Sequence, residues 1–408
     1  MGGAKEAWLE AQGRGFTTGA EKYVCSNCFS DYAIQEFIEQ VAESLKCDYC
    51  GSESEGEEPI AAPLDTVVEL IVEGIKTEWG QPGDEGVGWA SSEGGWIGAK
   101  VVDTWDLLSE ELEIGFYSHE LFKDVFDAFT DDEWCEKDPY SEQLGDQWFF
   151  DWQHFSKQVK HHTRYVFFKM PKRDEGKEWY HPADNPYDIL YEIGSNVDRL
   201  NLVISLPVST DFVRVRVSEN NVGYSTVAEL GPPPVNKCVS SNRMSPAGIP
   251  MFYGAFNEAT ALAETTKETD HYATVGTFKT MREIKVLDLT KLPFVPSIFD
   301  RKKRDDRQPI FFMRDFLRDF TKPVDKNGSE HIEYVPTQVV TEYFRHIYRH
   351  NDKKKLDGII YPSSVSKGGK ACVLFCNAEN CTQDDQAMKD EILLSLCTKS
   401  IKTIKLTA

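Results

Sequence analysis

Asn242-Arg243-Met244-Ser245-Pro246-Ala247-Gly248-Ile249-Pro250-Met251-Phe252-Tyr253, followed by Ala261-Leu262-Ala263-Glu264, is the stretch from which this 408-residue chain is best read. It sets out an arginine, a glycine five residues on, a tyrosine ten residues on, and then a glutamate. Around it the pattern mixes strands and helices. Phe212-Val213-Arg214-Val215-Arg216-Val217 alternates at period two, as a half-buried strand does, and puts Arg214 and Arg216 on one face. Residues 257–267 predict a helix, 284–289 a strand, and 310–320 and 337–348 amphipathic helices. Residues 359–361 and 371–375 predict short buried strands, and 386–396 a last helix. No internal repeat is present, and the class expected is α+β.

A second segment, Asp357-Gly358-Ile359-Ile360-Tyr361-Pro362-Ser363-Ser364, supplies a serine at a strand end. With Val373-Leu374-Phe375, the ordered set of Arg243, Gly248, Tyr253, Glu264 and Ser363 resembles the RES domain family over about residues 211–377. Asn242 stands where that family usually has glycine, and Met244 where it has an aromatic residue. The resemblance implies an ADP-ribosyltransferase-like mixed β core with helices, and an enzyme that degrades NAD. It also implies that an arginine of the Phe212 strand contributes to the site, Arg214 before Arg216.

Cleaving the bond between ribose and nicotinamide passes through an oxocarbenium-like transition state. The leaving ring departs neutral, so no strong general acid is needed. The site needs an anion near the sugar, a cation for the pyrophosphate and an aromatic wall. Glu264, Arg243 and Tyr253 have those characters. Glu264 would stabilise the developing positive charge, and Arg243 would pair with a phosphate. Tyr253 would flank the nicotinamide, and Ser363 would hydrogen-bond the ligand. Arg214, Arg216, Arg243, Tyr253 and Ser363 form the expected NAD-binding set, and Glu264, Arg243, Tyr253 and Ser363 the catalytic one. No Gly-x-Ser-x-Gly elbow surrounds Ser363, so it is not read as an acyl nucleophile. No Walker A or GxGxxG sequence supports a kinase or dehydrogenase.

Near the N-terminus, Cys25-x-x-Cys28 and Cys47-x-x-Cys50 are separated by 18 residues. Two such knuckles suit a tetrahedral structural Zn2+ with no open position. Asp31 is placed to cap an intervening helix whose apolar face holds Ala33, Ile34, Phe37, Ile38, Val41 and Leu45. The acidic run Ser52-Glu53-Ser54-Glu55-Gly56-Glu57-Glu58 reads as a linker. Leu64, Val67, Val68, Ile71, Val72 and Ile75 then mark an amphipathic helix. Residues 81–98 read as a Trp-bearing structured loop, and 99–170 as mostly helical. This layout is similar to the HEPN-like domains that precede some RES domains. The expected division is a four-cysteine zinc unit and linker at 1–58, a mainly helical HEPN/RES N-terminal-like domain at 59–200, and a RES-like catalytic domain at 201–408.

A net charge of −22 argues against general nucleic-acid binding. The basic run Arg301-Lys302-Lys303-Arg304 is followed by Asp305-Asp306 and reads as a solvated loop. Arg345-x4-His350 fits a HEPN nuclease spacing but lies in the RES-like half. Hydrophobic content of 40% with 24 Phe, 16 Tyr and 9 Trp supports real cores. No apolar run approaches a membrane span, and the Met1-Gly2-Gly3 start has no signal-peptide core. A cytoplasmic location is expected, where ten cysteines read as thiols or metal ligands. The resemblance implies a toxin or defence effector that collapses cellular NAD, with an antitoxin or regulatory protein as partner. A homo-oligomer stays open. The alternatives are transfer of ADP-ribose to a macromolecule, and a zinc-dependent binding module whose RES domain is inactive.

Overall fold

The computed structural model describes residues 9–19, 21–166, 188–219, 221–267, 270–324, 328–351, 353–384 and 391–406. The Met1-Gly2-Gly3 start lies outside the described residues. The chain forms two compact units, one of residues 1–144 with 295–308, the other of 145–294 with 309–408.

In the first unit, Tyr32–Val41 is helical, and the Asp31 carboxylate accepts the amides of Ala33 and Ile34. That satisfies two donors which a helix start leaves unpaired. Ile34 and Ile38 are fully buried, whereas Leu45 lies beyond the helix end and is exposed. The periodicity thus ran one turn too far. The Leu64–Glu78 helix buries Val67, Val68, Ile71, Val72 and Ile75, the stripe read from the sequence. Residues 81–98 contain a hairpin, Gly88–Ala90 against Gly95–Ile97, with Trp89 and Trp96 edge-on at 5.1 Å.

Helix accounts for the larger part of the described residues in 99–170, as expected, and two short strands are added to it. Val102–Asp103 and Trp79–Gly80 flank Glu133–Glu136 in a small antiparallel sheet. These strands are too short to show a period, and burial of Trp134 and Cys135 decides their state. His119–Ala128 and Leu144–His161 are the main helices of that stretch. The basic run at 301–304 is a turn with Arg301, Lys302 and Lys303 exposed, as expected, and it is also tied down by ion pairs. Arg301 and Arg304 both pair with Glu73, and Arg307 pairs with Glu78, all on the Leu64–Glu78 helix.

The second unit is built on a mixed sheet. Among the described residues its strands run in the order Cys381–Gln383, Leu394–Lys405, Tyr272–Thr280, Asp211–Ser218, Phe252–Ala255, Lys370–Leu374, Gly358–Pro362, Ile284–Asp288, Val203–Leu206. Ile284–Asp288 with Gly358–Pro362, and Cys381–Gln383 with Leu394–Lys405, are parallel. The pairings between the other neighbours are antiparallel. Helices Leu144–His161, Asp188–Arg199, Arg307–Thr321 and Val335–Glu342 contribute to a core with Met244, Met251, Ile359 and Val373.

The last helix expected at 386–396 is not formed in its described part, residues 391–396. Leu394–Lys405 is a strand that pairs with Tyr272–Thr280 from Leu394 to Lys405, and 386–390 lie outside the described residues. Its helical spacing of leucines was overridden by a long ladder partner.

Two family glycines have direct backbone reasons. Gly248 adopts φ +87°, and its amide closes a turn onto the Cys238 carbonyl at 2.7 Å. A Cβ on Gly358 would come within 2.4 Å of the Val373 carbonyl oxygen on the neighbouring strand, which only glycine avoids.

Candidate functional site

Asp211–Ser218 and Phe252–Ala255 are paired only at Ala255–Val213. Beyond that point they part, and a cavity of about 510 Å³ occupies the gap. Its lining includes Arg214, Arg216, Tyr253, Tyr361 and Glu264. Four of the six residues expected from sequence to handle a ligand therefore share one cavity.

The Arg214 Nη1 donates to the Tyr253 carbonyl at 2.6 Å, and Arg216 Nη2 to the Gly231 carbonyl at 2.8 Å. Arg214 also lies over the Phe252 ring, 5.1 Å from its centroid. Each guanidinium bridges the gap to a strand or turn carbonyl. Neither has a carboxylate partner among the described residues, and the buried Nε of each has no hydrogen-bond partner there. Burial, reinforced by Arg216, holds the Arg214 pKa down to about 10, so the group stays charged at neutral pH. Burial lowers Arg216 too. Two desolvated cations with no carboxylate in ion-pair contact, among the described residues, make a cavity suited to an anion.

Tyr253 Oη is bonded to the buried Ser245 hydroxyl at 2.9 Å. Burial pushes its pKa up, and Tyr361 is raised for the same first reason. Both phenols stay neutral and act as walls.

Glu264 sits in the last turn of the Glu258–Thr265 helix, where the helix dipole also favours a cation nearby. Its Oε1 accepts from Ser363 Oγ at 2.5 Å. Ser363 Oγ in turn accepts the amides of Val365 and Ser366 at 3.3 and 3.0 Å. Those two donors leave the serine proton to the carboxylate. Ser363 thus meets the cavity through Glu264, while Ser364 is exposed.

Arg243 is not brought to this cavity. Its Nη1 donates to the carbonyls of Phe320 and Lys322, at 3.1 and 2.6 Å, where the Arg307–Thr321 helix ends. Unpaired carbonyls and the negative end of the dipole explain the attraction. A local bridge between Asn242 and Ser245 turns those two toward the cavity and Arg243 away. Gln338 Nε2 and Thr337 Oγ1 hold the Asn242 and Arg243 carbonyls. We expect Arg243→Ala to cost about 1–3 kcal/mol of stability, measured by urea unfolding. An unchanged unfolding midpoint would refute this capping role.

Sequence reasoning gave no role to Tyr361, Ser245 or Asn242. Tyr361 stood in a quoted motif, but nothing in the pattern aimed Ser245 at Tyr253. His350 is bonded to Asp198 at 2.9 Å, and does not line the pocket that Arg345 lines, so the nuclease-like spacing forms no shared site.

In the first unit the sulfurs of Cys25, Cys28, Cys47 and Cys50 all lie within 4.8 Å of one another and could hold a metal ion. Neighbouring sulfurs are 3.4–3.8 Å apart. Tetrahedral bonds of about 2.3 Å to sulfur require about 3.8 Å. The Cys25 amide donates to Cys47 Sγ at 3.4 Å, the kind of outer contact that orients a ligand. No helix of the described residues is long and apolar enough to cross a membrane.

Comparison with protein-family models matches residues 40–173 to HEPN/RES N-terminal domain 1 and residues 223–395 to the RES domain. The Asp211–Ser218 strand, which carries both cavity arginines, precedes the second match. No curated protein and no solved structure matches the chain. The spaced motifs, the mixed sheet that displays them and the cysteine cluster ahead of it agree with these assignments: the chain carries a HEPN/RES N-terminal domain 1 followed by a RES domain.

Proposed function

We propose that the RES domain cleaves the bond between nicotinamide and ribose in NAD. The observation that carries this reading is the cavity between the parted strands, with two uncompensated guanidiniums inside and one anchored carboxylate in its wall. Arg214 and Arg216 bind the pyrophosphate. Tyr253 and Tyr361 flank a planar ring. Glu264 faces the sugar and stabilises positive charge as the bond lengthens. The electron pair of the C1′–N bond leaves with nicotinamide and neutralises its ring. Water then bonds to C1′ and gives its proton to Glu264 or solvent. Arg243, placed on the helix end, fixes the 242–253 segment and touches no ligand in this scheme.

Such an enzyme depletes NAD, the action of a toxin or defence effector, and a neutralising partner protein would restrain it. The test is incubation of the purified chain with NAD, with and without phosphate, and mass spectrometry of the products. Nicotinamide with ADP-ribose, or with its 1″-phosphate when phosphate is present, is expected. Absence of nicotinamide in both overturns the reading. Release only when other proteins are added would make a macromolecule the acceptor.

We further propose that the four cysteines hold one structural Zn2+. The sulfur spacing supports it, and no ligand position is left for catalysis. About one zinc per chain is expected by metal analysis, with loss of metal and of protease resistance in the first unit upon Cys47→Ser. Full resistance of a metal-free Cys47→Ser protein would reject it.

A further inference from the structure

The sheet carries a second pocket at its other end. Its volume is about 460 Å³, and it lies where Ile284–Asp288 and Gly358–Pro362 begin. Ser363 follows the far end of Gly358–Pro362, and a strand of that length spans about 15 Å. The two sites are therefore separate.

Five cationic side chains line this pocket, Arg282, Lys285, Arg345, Lys354 and Lys355, together with His346. They come from three chain segments, so the charge converges from different sides. The carboxylates in the lining are Glu283 and Asp357. Asp357 is occupied by a fork from Arg282 at 2.6 and 3.2 Å and by the Lys285 amide at 2.9 Å. Glu283 accepts from Ser205 Oγ at 3.4 Å. Arg345 sits in a π-type turn, Tyr343–Ile347, that widens the end of the Val335–Glu342 helix. It is half-buried and makes no carboxylate contact of ion-pair length among the described residues, although Glu342 acts on it through space. Burial and then Arg345, Lys355 and Arg349 hold His346 below the ordinary histidine range, which marks a net positive potential. On a chain of net charge −22 this is a focused exception.

We propose that this pocket is a binding site for a compact polyphosphate, either the phosphate chain of a nucleotide or an inorganic polyphosphate. Five cations against the two carboxylates leave the lining with a net charge of +3, which one anionic group does not balance, whereas two or three linked phosphates can meet several cations at once. The volume suits a small ligand. A concave pocket on a strongly acidic chain disfavours a long nucleic acid. Leu356 and Phe375 give the lining little apolar surface, which disfavours an uncharged ligand.

The experiment is calorimetry of the full chain with inorganic triphosphate at low salt, with ATP and a single-stranded RNA oligomer as further arms. One-site triphosphate binding is expected, weakened at least about tenfold by Lys355→Glu and by Arg345→Gln. Lys355 is exposed, so its variant should fold and decides the matter if Arg345→Gln does not. ATP binding tighter than triphosphate identifies a nucleotide as the ligand, and weaker binding an inorganic polyphosphate. No binding of triphosphate overturns the proposal, as does binding within about twofold in Lys355→Glu, or loss in Arg216→Gln instead, which would put the anion between the parted strands. RNA binding tighter than triphosphate and lost in Lys355→Glu also overturns it, because the surface would then be a nucleic-acid interface.

Discussion

Glu264→Gln should lower kcat for NAD cleavage by about 10²–10³ and leave the melting temperature unchanged. The carboxylate is exposed on a helix end, so its neutral isostere costs the fold little. Its value lies in facing a positive charge that grows only as the C1′–N bond breaks. Losing such an interaction lowers kcat more than it raises KM. Glutamine can still accept from Ser363 Oγ, so the local geometry survives. The anchoring makes a companion expectation: Ser363→Ala should give a smaller loss of the same kind, because Glu264 then samples several rotamers. Steady-state kinetics of both variants would check this. A Glu264→Gln enzyme within a fewfold of the parent would remove Glu264 from the chemistry.

Arg214→Met should abolish most NAD affinity, by at least about tenfold, while hardly changing stability. The two halves of this prediction oppose the usual outcome of removing a buried residue. Arg214 is charged but desolvated, and a pKa held down to about 10, well below the ordinary arginine value, corresponds to an unfavourable contribution on the order of 3 kcal/mol at neutral pH. Removing the charge relieves that contribution. It also leaves the Tyr253 carbonyl without its donor, at about 1–3 kcal/mol. The two effects nearly cancel, so thermal unfolding should move by only a few degrees. The sign of the pH dependence follows. A cation with a lowered folded-state pKa opposes folding below about 10, and that opposition fades as pH rises from there toward the ordinary arginine value. NAD titrations on the Glu264→Gln background isolate binding from turnover. Equal affinity with and without Arg214 would move the pyrophosphate elsewhere.

The sequence carried much of this, because spacing encodes backbone requirements well. Gly248 stands at a positive φ, Gly358 stands where no side chain fits, and Asp357 ties the Lys285 amide and Arg282. Such needs leave fixed marks at fixed intervals. Direction is encoded less well. Nothing in Asn242-Arg243-Met244-Ser245 states that the bridge between Asn242 and Ser245 turns Arg243 toward a helix end. Period two, by contrast, put Arg214 and Arg216 on one face, and the parting of their strand from its neighbour then made that face a wall. The error at 386–396 has a physical cause. A ladder partner more than 100 residues away in Tyr272–Thr280 decides that segment. Local composition does not reveal such distant partners.

Residues 295–308 belong by compactness to the first unit although they interrupt the sequence of the second. Ile298 and Phe299 are almost wholly buried there, and a Cβ on Gly74 would strike the Phe299 ring at 2.4 Å. The polypeptide therefore passes between the units three times, after residues 144, 294 and 308. The consequence is genetic as much as structural. No single cut yields two autonomous gene fragments. A C-terminal fragment would carry two apolar side chains stripped of their seat, and an N-terminal one would have a hole where they belong. Dissection of this protein requires excising that fourteen-residue excursion and rejoining the chain across it, or expressing both halves together.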